Sequence, residues 1–302
     1  MSGIILENIV KTYEKGSILA VDHVSFQVEE GELFGLIGPD GAGKTSIFRI
    51  LTTLLLPDSG NGWVHGLNIL KDFKAIRSEV GYMPGKFSLY QDLSVEENLH
   101  FFATVFNTTI EQNYDLIKDI YVQIEPFKTR KAGKLSGGMK QKLALCCALI
   151  HRPTVLFLDE PTTGVDAVSR KEFWEMLQRL KKQGITILVS TPYMDEANLC
   201  DRIALIQTGK VLSIDTPHNI TSGYQNKLYS AKSESMSTLI RDLRALPTVN
   251  TCFSFGDSLH FTLKEEHSEI LTLKESLSKH INLEIKIIDP SIEDCFIQFM
   301  HS

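Results

Sequence analysis

Gly38-Pro39-Asp40-Gly41-Ala42-Gly43-Lys44-Thr45 follows the continuously apolar run ELFGLIG (32–38) and leads into GKTSIFRILTTLL (43–55). The octapeptide fits G-x-x-x-x-G-K-[ST], in which glycines let the backbone wrap closely and aim successive N–H groups at phosphate oxygens. The run before it reads as a buried strand and the segment behind it as a helix, so the loop sits where such a loop has to sit. The helix start adds its positive dipole end to the same point. Lys44 would then reach the β- and γ-phosphates, and Thr45 would place a hydroxyl on Mg²⁺. An ordinary Gly-rich turn also matches the pattern, but it does not need a strand on one side and a helix on the other.

Two further stretches complete such a site. Val155-Leu156-Phe157-Leu158-Asp159-Glu160 is an apolar strand ending in two acids. Asp159 is placed to hold Mg²⁺, directly or through water, and Glu160 to polarise an attacking water. Leu135-Ser136-Gly137-Gly138-Met139-Lys140-Gln141 stands just before the helical segment KLALCCALI (142–150). A serine and two glycines opening a helix form a second anion site with no lysine of its own, able to clamp a γ-phosphate presented by another subunit.

Outward from these motifs, ILENIV (5–10) and VDHVSFQV (21–28) alternate as half-buried antiparallel strands do. From about residue 90 to 130 the pattern is helical, and Ser94 and Glu97 form a capping box ahead of NLHFFATVF. In VSRKEFWEMLQRLKKQG (168–184), Phe173, Met176, Leu177 and Leu180 share one helical face, with Lys181, Lys182 and Gly184 closing the helix. ITILVS (185–190) follows as another buried strand. Alternating strands and helices predict a mostly parallel sheet with crossovers. After about residue 220 the order changes to strand KLYSA, helix MSTLIRDLRAL, strand NTCFSF, a Gly256-Asp257 turn, strand LHFTL, helix ILTLKESLSKH and strand LEIKII. That is β-α-β-β-α-β, a split βαβ arrangement of ferredoxin-like type.

Bulk properties narrow the function. The chain has 302 residues, 43% hydrophobic, which suits one large domain with a smaller one and excludes disorder. A formal net charge of −6 argues against a nucleic-acid grip. No apolar run approaches the roughly 18 residues that cross a bilayer, and the start of the sequence lacks the basic and apolar regions of a signal peptide. The expected place is therefore the cytoplasm, unless a partner holds the chain at a membrane. The five cysteines (146, 147, 200, 252 and 295) form no C-x-x-C pair and read as buried thiols in a reducing compartment.

In the order and identity of these motifs, residues 1–215 resemble the ATP-binding subunits of ABC transporters. The resemblance implies an α/β P-loop NTPase core with antiparallel and helical subdomains. The division it suggests is an ATP-binding domain over 1–220, with a helical subdomain near 90–150, and a small α+β accessory domain over 221–302. Gly38 to Thr45 would be the Walker A loop, and Asp159 and Glu160 the Walker B pair, Glu160 being the catalytic acid. Ser136, Gly137 and Gly138 would be the signature, acting in trans, and Asp166 in TTGVDAVSR the D-loop acid. The implied ATP set is Tyr13, stacked on adenine, with Gly38, Pro39, Asp40, Gly41, Ala42, Gly43, Lys44, Thr45 and Ser46. Mg²⁺ would lie on Thr45 and Asp159. The implied partners are a membrane-spanning permease and a second ABC ATPase in a head-to-tail homodimer or heterodimer, peripheral on the inner face of the cell membrane. SLYQDLSVEENL (88–99) and PSIEDCFIQF (290–299) resemble the drug and small-solute exporters with a C-terminal extension.

Two positions depart from the family pattern. A glutamine that touches Mg²⁺ and the attacking water is replaced by Gly85, after VGYMP. A histidine near the γ-phosphate is replaced by Pro192, in STPYMDEA. Gly suits a loop and Pro the first turn of a helix, but neither can supply the missing hydrogen bonds. Mg-ATP binding is expected to be intact and hydrolysis in this chain's own pocket to be impaired. The alternatives are a hydrolysis-deficient ATP-binding regulatory partner in a heterodimer, and a soluble non-transport ABC protein acting in translation or DNA repair. The latter groups tend to carry paired nucleotide domains, zinc cysteines or a long coiled coil, and none of these occurs here.

Overall fold

The computed structural model describes residues 2–85, 89–264 and 270–301, so Ser88, which opens SLYQDLSVEENL, lies outside the described residues. The chain divides after Pro217 into two compact units.

The first unit begins with two long antiparallel strands, β1 (Ser2–Tyr13) and β2 (Ile18–Glu29), paired from Ser2↔Glu29 to Tyr13↔Ile18. Next come β3 (Leu33–Ile37) and α1 (Lys44–Leu51), on either side of the glycine loop. β4 (Ser59–Val64), β5 (Leu67–Asn68), α2 (Phe73–Glu79) and β6 (Val80–Met83) follow. The helical stretch contains α3 (Val95–Val105), α4 (Tyr114–Tyr121) and α5 (Gly137–Leu149). The unit closes with β7 (Val155–Asp159), α6 (Ala167–Lys182), β8 (Thr186–Thr191), β9 (Arg202–Gln207) and β10 (Lys210–Asp215).

Two sheets organise it. One is antiparallel, with order β2-β1-β4-β5. The other has order β10-β9-β3-β8-β7-β6, parallel from β9 to β6 with β10 antiparallel at the edge. Every residue of β3, β7 and β8 is buried, as expected of parallel strands covered on both faces. Phe26 of β2 stacks on Phe34 of β3 at 5.5 Å, and Phe48 of α1 meets Phe157 of β7 edge-on at 6.2 Å, within one continuous core. The expected helical faces hold. Phe173, Met176, Leu177 and Leu180 of α6 are buried, and Ser94 and Glu97 make both bonds of the capping box at α3.

The second unit, His218–Ser302, carries β11 (Leu228–Lys232), α8 (Met236–Ala245), β12 (Val249–Phe255), β13 (Ser258–Leu263), α9 (Ile270–Ser276), β14 (Glu284–Ile288) and α10 (Ile292–His301), after α7 (Pro217–Ser222). Its sheet is antiparallel throughout, in the order β12-β13-β11-β14. Tyr229, Ala231, Cys252, Leu259 and Phe261 point from one sheet face into a core shared with Leu239, Leu243, Leu273 and Leu277 of the helical segments. All five cysteines are buried and unpaired. Among the described residues no helix is long and apolar enough to cross a membrane.

Candidate nucleotide site

The parallel sheet gathers the motifs at one edge. β3, β8, β7 and β6 are neighbours in the same direction, so their carboxyl ends lie side by side. These ends lead into Gly38, Pro192, Asp159-Glu160 and Gly85 respectively, the crevice where open α/β sheets hold ligands. Gly38 N–H donates to Thr191 O at 3.3 Å, joining the start of the loop to the end of β8.

The loop cannot be built from larger residues. A side chain at Gly38 would meet Ile206 O at 2.1 Å, and one at Gly43 would meet Ala20 O at 2.3 Å, with Gly43 also at φ +102°. Gly43 is the N-cap of α1, so the first free N–H groups of that helix face the loop. Asp40 and Gly41 stand exposed at the tip and Ala42 is buried beneath them. Lys44, only 3% exposed, donates to Gly38 O at 2.7 Å and Pro39 O at 2.9 Å, and its ammonium lies 3.1 Å from Glu160 Oε1. Tyr13, at the end of β1, hydrogen-bonds through its hydroxyl to Ser46 Oγ at 3.0 Å, which brings its ring beside the first turn of α1.

The acidic half is set by a strand register. Asp159 of β7 pairs with Ser190 of β8, and Ser190 Oγ donates to Asp159 Oδ1 at 2.8 Å. The Glu160 N–H donates to Ser190 O at 3.1 Å and lies 3.0 Å from Ser190 Oγ. These contacts hold Glu160 at φ +50°, a left-handed conformation that non-glycine residues adopt at a cost and that aims its side chain at Lys44. Asp159 is 2% exposed and its hydroxyl partner is neutral, leaving Oδ2 as a charged oxygen donor. A buried carboxylate beside a loop carrying the Thr45 hydroxyl fits Mg²⁺, which takes few protein oxygens and completes its shell with water and phosphate. Burial, with the Asp159 charge second, pushes the Tyr82 phenol on β6 up to about 12.

Gly85 lies against this pair. A Cβ there would be 3.1 Å from Asp159 O and 3.9 Å from Glu160 Cβ, so any side chain at 85 would stand beside both acids. Pro192, expected to suit the first turn of a helix, does not lie in one. The short 3₁₀ turn starts at Met194 with Tyr193 as its cap, and Pro192 lies in the link from β8.

Ser136, Gly137 and Gly138 open α5, where Ser136 Oγ accepts from Met139 N–H at 3.3 Å. Ser136 and Gly137 are exposed. Their neighbours are in the segment before α6 and in its first turn. A Cβ on Gly137 would lie 3.7 Å from Gly164 O, and one on Gly138 would meet Ser169 Oγ at 2.7 Å. Asp166 caps α6 by accepting from Ser169 N–H at 3.0 Å, which holds its carboxyl below the usual range.

Several supporting residues carry no sequence pattern of their own. Ser190 holds both acids. Buried Gln141 donates to Pro161 O and so ties α5 to the turn after Glu160. Glu196 accepts from Thr162 Oγ1 at 3.1 Å and Thr191 Oγ1 at 2.5 Å, with the Arg170 guanidinium 3.7 Å away, binding the turn after β7 to the link after β8. Only the pairing of β7 with β8 brings these groups together.

Comparison with known proteins places this geometry among relatives. A family model described as "ABC transporter" matches residues 21–163. The probable multidrug ABC transporter ATP-binding protein YbhF of Escherichia coli (strain K12) is 39% identical over 285 residues, 93% of this chain and 49% of YbhF. This chain thus spans about half the length of the first curated relatives it matches. The linearmycin resistance ATP-binding protein LnrL of Bacillus subtilis (strain 168) is 32% identical over 300 residues, covering 96% of both chains. The doxorubicin resistance ATP-binding protein DrrA of Mycobacterium tuberculosis is 33% identical, with 89% of this chain and 78% of DrrA covered. Among solved structures, cbiO1 of Clostridium perfringens superposes with a TM-score of 0.65 at 25% identity, covering 74% of this chain and 91% of that one. The dimeric cassette MJ0796 does so with a TM-score of 0.64 at 26% identity, covering 70% and 98%.

Proposed function

Because the chain belongs to the ABC transporter family, we propose that it is the ATP-binding subunit of an export transporter, closing on Mg-ATP to drive a separate membrane-spanning permease. The observation that carries this reading is the convergence at one sheet edge of the glycine loop, Lys44, Asp159 and Glu160, with Lys44 and Glu160 already 3.1 Å apart. The export role follows the names of its drug-resistance relatives. Leu54, Leu56 and Val105, 58%, 66% and 56% exposed, offer apolar surface for a protein partner.

In this scheme Tyr13 stacks on adenine, and Gly38 to Ser46 wrap the phosphates with backbone N–H groups. Thr45 and Asp159 hold Mg²⁺, which when bound neutralises charge on the β- and γ-phosphate oxygens. Polyphosphate in the loop competes with Glu160 for Lys44, so binding frees that carboxylate to orient a water. Ser136 and Gly137, exposed at the start of α5 with Gly138 buried behind them, serve the pocket of a second ATPase subunit, with exposed Asp166 nearby.

The pocket that contains Gly85 and Pro192 lacks two hydrogen-bonding side chains, and losing one such group at a transition state costs about 3 kcal/mol. A homodimer would carry two impaired pockets. A heterodimer with a complete partner would keep one hydrolytic pocket, borrowing the signature of this chain, and use the other as an ATP clamp. Slow turnover is therefore expected for this chain alone. The double substitution Gly85→Gln, Pro192→His should raise it at least about tenfold, a change of about 1.4 kcal/mol in barrier. The Cβ at 85 needs only a few tenths of an ångström of adjustment from Asp159 O. Steady-state turnover of both forms at saturating Mg-ATP is the measurement. A wild-type rate already near the roughly 10 s⁻¹ of an ordinary enzyme would show both side chains to be dispensable.

A further inference from the structure

The second unit has a sheet face that its core does not use. Strand alternation sends Cys252, Leu259 and Phe261 into the core and turns Thr251, Phe253 and Phe255 of β12, with His260 and Thr262 of β13, to the opposite side. On that side, Tyr224 and Asp294 of α10 join them around a cavity of about 280 Å³.

Its polar groups are held in place. Asp294 is 4% exposed. Its Oδ2 accepts from Ser291 N–H at 2.8 Å and from Ser291 Oγ–H at 2.6 Å, while Oδ1 lies 2.8 Å from His260 Nδ1. The Asp294 carboxylate accepts from Nδ1–H, so whenever the imidazole is neutral its Nε2 keeps a lone pair. Phe255 stacks on the same imidazole, centroid to centroid 4.0 Å and 9° from parallel, which fixes the ring plane. The Thr251 and Thr262 hydroxyls are 2.7 Å apart and bond each other, one donating and the other accepting. A mere anchor for α10 would need the Asp294–His260 bond. It would not need an aromatic-walled hollow beyond it.

Size and charge define what fits. About 280 Å³ lies at the low end of ligand pockets, room for one or two rings. The cavity is lined by the Asp294 carboxylate, by hydroxyls and by the amides of Asn226, Asn250 and Gln298 and, among the described residues, by no lysine or arginine, so an anion finds no lysine or arginine counter-charge there. Phe253 and Phe255 line the cavity, and aromatic walls of this kind attract a cation or stack a flat ring. We propose that this cavity is a second ligand site, built wholly within the second unit, for a small flat aromatic molecule, neutral or singly cationic, that donates a hydrogen bond to His260 Nε2.

Tyramine is a suitable probe, and 4-hydroxyphenylacetate, similar in ring and size but opposite in charge, is its control. Each is titrated calorimetrically into the full chain, with and without saturating Mg-ATP. The expected result is tyramine binding with a Kd of about 1 mM or tighter, the acid at least about tenfold weaker, and no displacement of tyramine by the nucleotide. His260→Ala should weaken tyramine at least about tenfold, and so should Thr251→Trp, which fills the cavity while leaving the Asp294–His260 bond in place. No binding of tyramine up to about 10 mM, equal affinity for the acid, or displacement by Mg-ATP overturns the proposal. So does undiminished binding by a folded Thr251→Trp chain. The amine-against-acid comparison on the wild-type chain needs no variant to fold.

Discussion

Lys44 keeps a charge where only 3% of its surface reaches solvent, which costs free energy unless oxygen atoms surround the ammonium. The Gly38 and Pro39 carbonyls and Glu160 do so, and these are atoms of the loop and of the acidic strand end. The charge proposed to meet the phosphates is thus placed in advance. Lys44→Ala should weaken Mg-ATP binding at least about tenfold, measured by calorimetric titration, since a charge-assisted contact to phosphate is among the stronger hydrogen bonds. Equal affinity in both forms would remove the loop from the nucleotide site. His151 shows the opposite use of burial. Its ring stacks on Phe106 at 3.7 Å, Nε2 lies 3.1 Å from Val80 O, Nδ1 has no hydrogen-bond partner among the described residues, and burial pushes its pKa down to about 4. The folded chain therefore keeps the ring neutral. Above about pH 6.5 neither state binds the proton, and this contribution to stability is fully present. As pH falls from there toward 4, only the unfolded chain takes the proton, and stability drops by up to about 1.4 kcal/mol per pH unit. The urea midpoint of the wild type should fall between pH 7 and 5 by the equivalent of about 2 kcal/mol more than that of His151→Phe, which keeps the stacking. Parallel pH dependence of the two would rule His151 out.

At the scale of elements, α3 is held chiefly at its start. Ser94 Oγ accepts from Glu97 N–H at 3.2 Å and Glu97 Oε2 accepts from Ser94 N–H at 2.7 Å. Those bonds hold the Glu97 carboxyl below its ordinary range. Buried Asn98 then bonds the Tyr90 N–H and the carbonyls of Tyr90, Leu93 and Ser94, fixing the approach of the chain to the helix. Ser94→Ala frees the Glu97 N–H and should cost about 1 kcal/mol, seen as a lower urea midpoint at unchanged denaturant slope. An unchanged midpoint would mean that packing alone sets where α3 starts. The glycine loop follows a different rule. It is shaped by what it must not touch, since Ile206 O and Ala20 O leave no room for a Cβ at Gly38 or Gly43.

At the scale of the molecule, the core around β3, β7 and β8 and the core of the second unit are separate clusters, and every residue assigned to nucleotide belongs to the first. A chain ending at Pro217 should remain soluble and bind Mg-ATP within about threefold of the full chain, by the same titration. A folded, soluble product that fails to bind would show that the second unit completes the site. The proposed aromatic ligand site would be lost with that unit, so the two ligands would part company in the shortened chain.

Local patterns were enough to identify most of this. A glycine loop between an apolar strand and a helix, an apolar strand ending in Asp159-Glu160, and a serine with two glycines opening α5 are contiguous stretches. Their chemistry depends on neighbours along the chain, and period-two and helical spacing identified β11 to β14 and the face of α6 in the same way. The hairpin of β9 and β10, the hairpin of β4 and β5, and α10 lacked such signatures, because short strands and a helix set by packing owe their form to what covers them. Ser190 could not have been paired with Asp159 from sequence, since no local signal sets the register between parallel strands joined through α6. Nor could Gly85 be placed beside Glu160, or His260 beside Asp294, 34 positions away. The sequence by itself determined which residues can do phosphate chemistry. Tertiary structure decided which of them meet, because contacts across a sheet depend on strand order and register rather than on spacing along the chain.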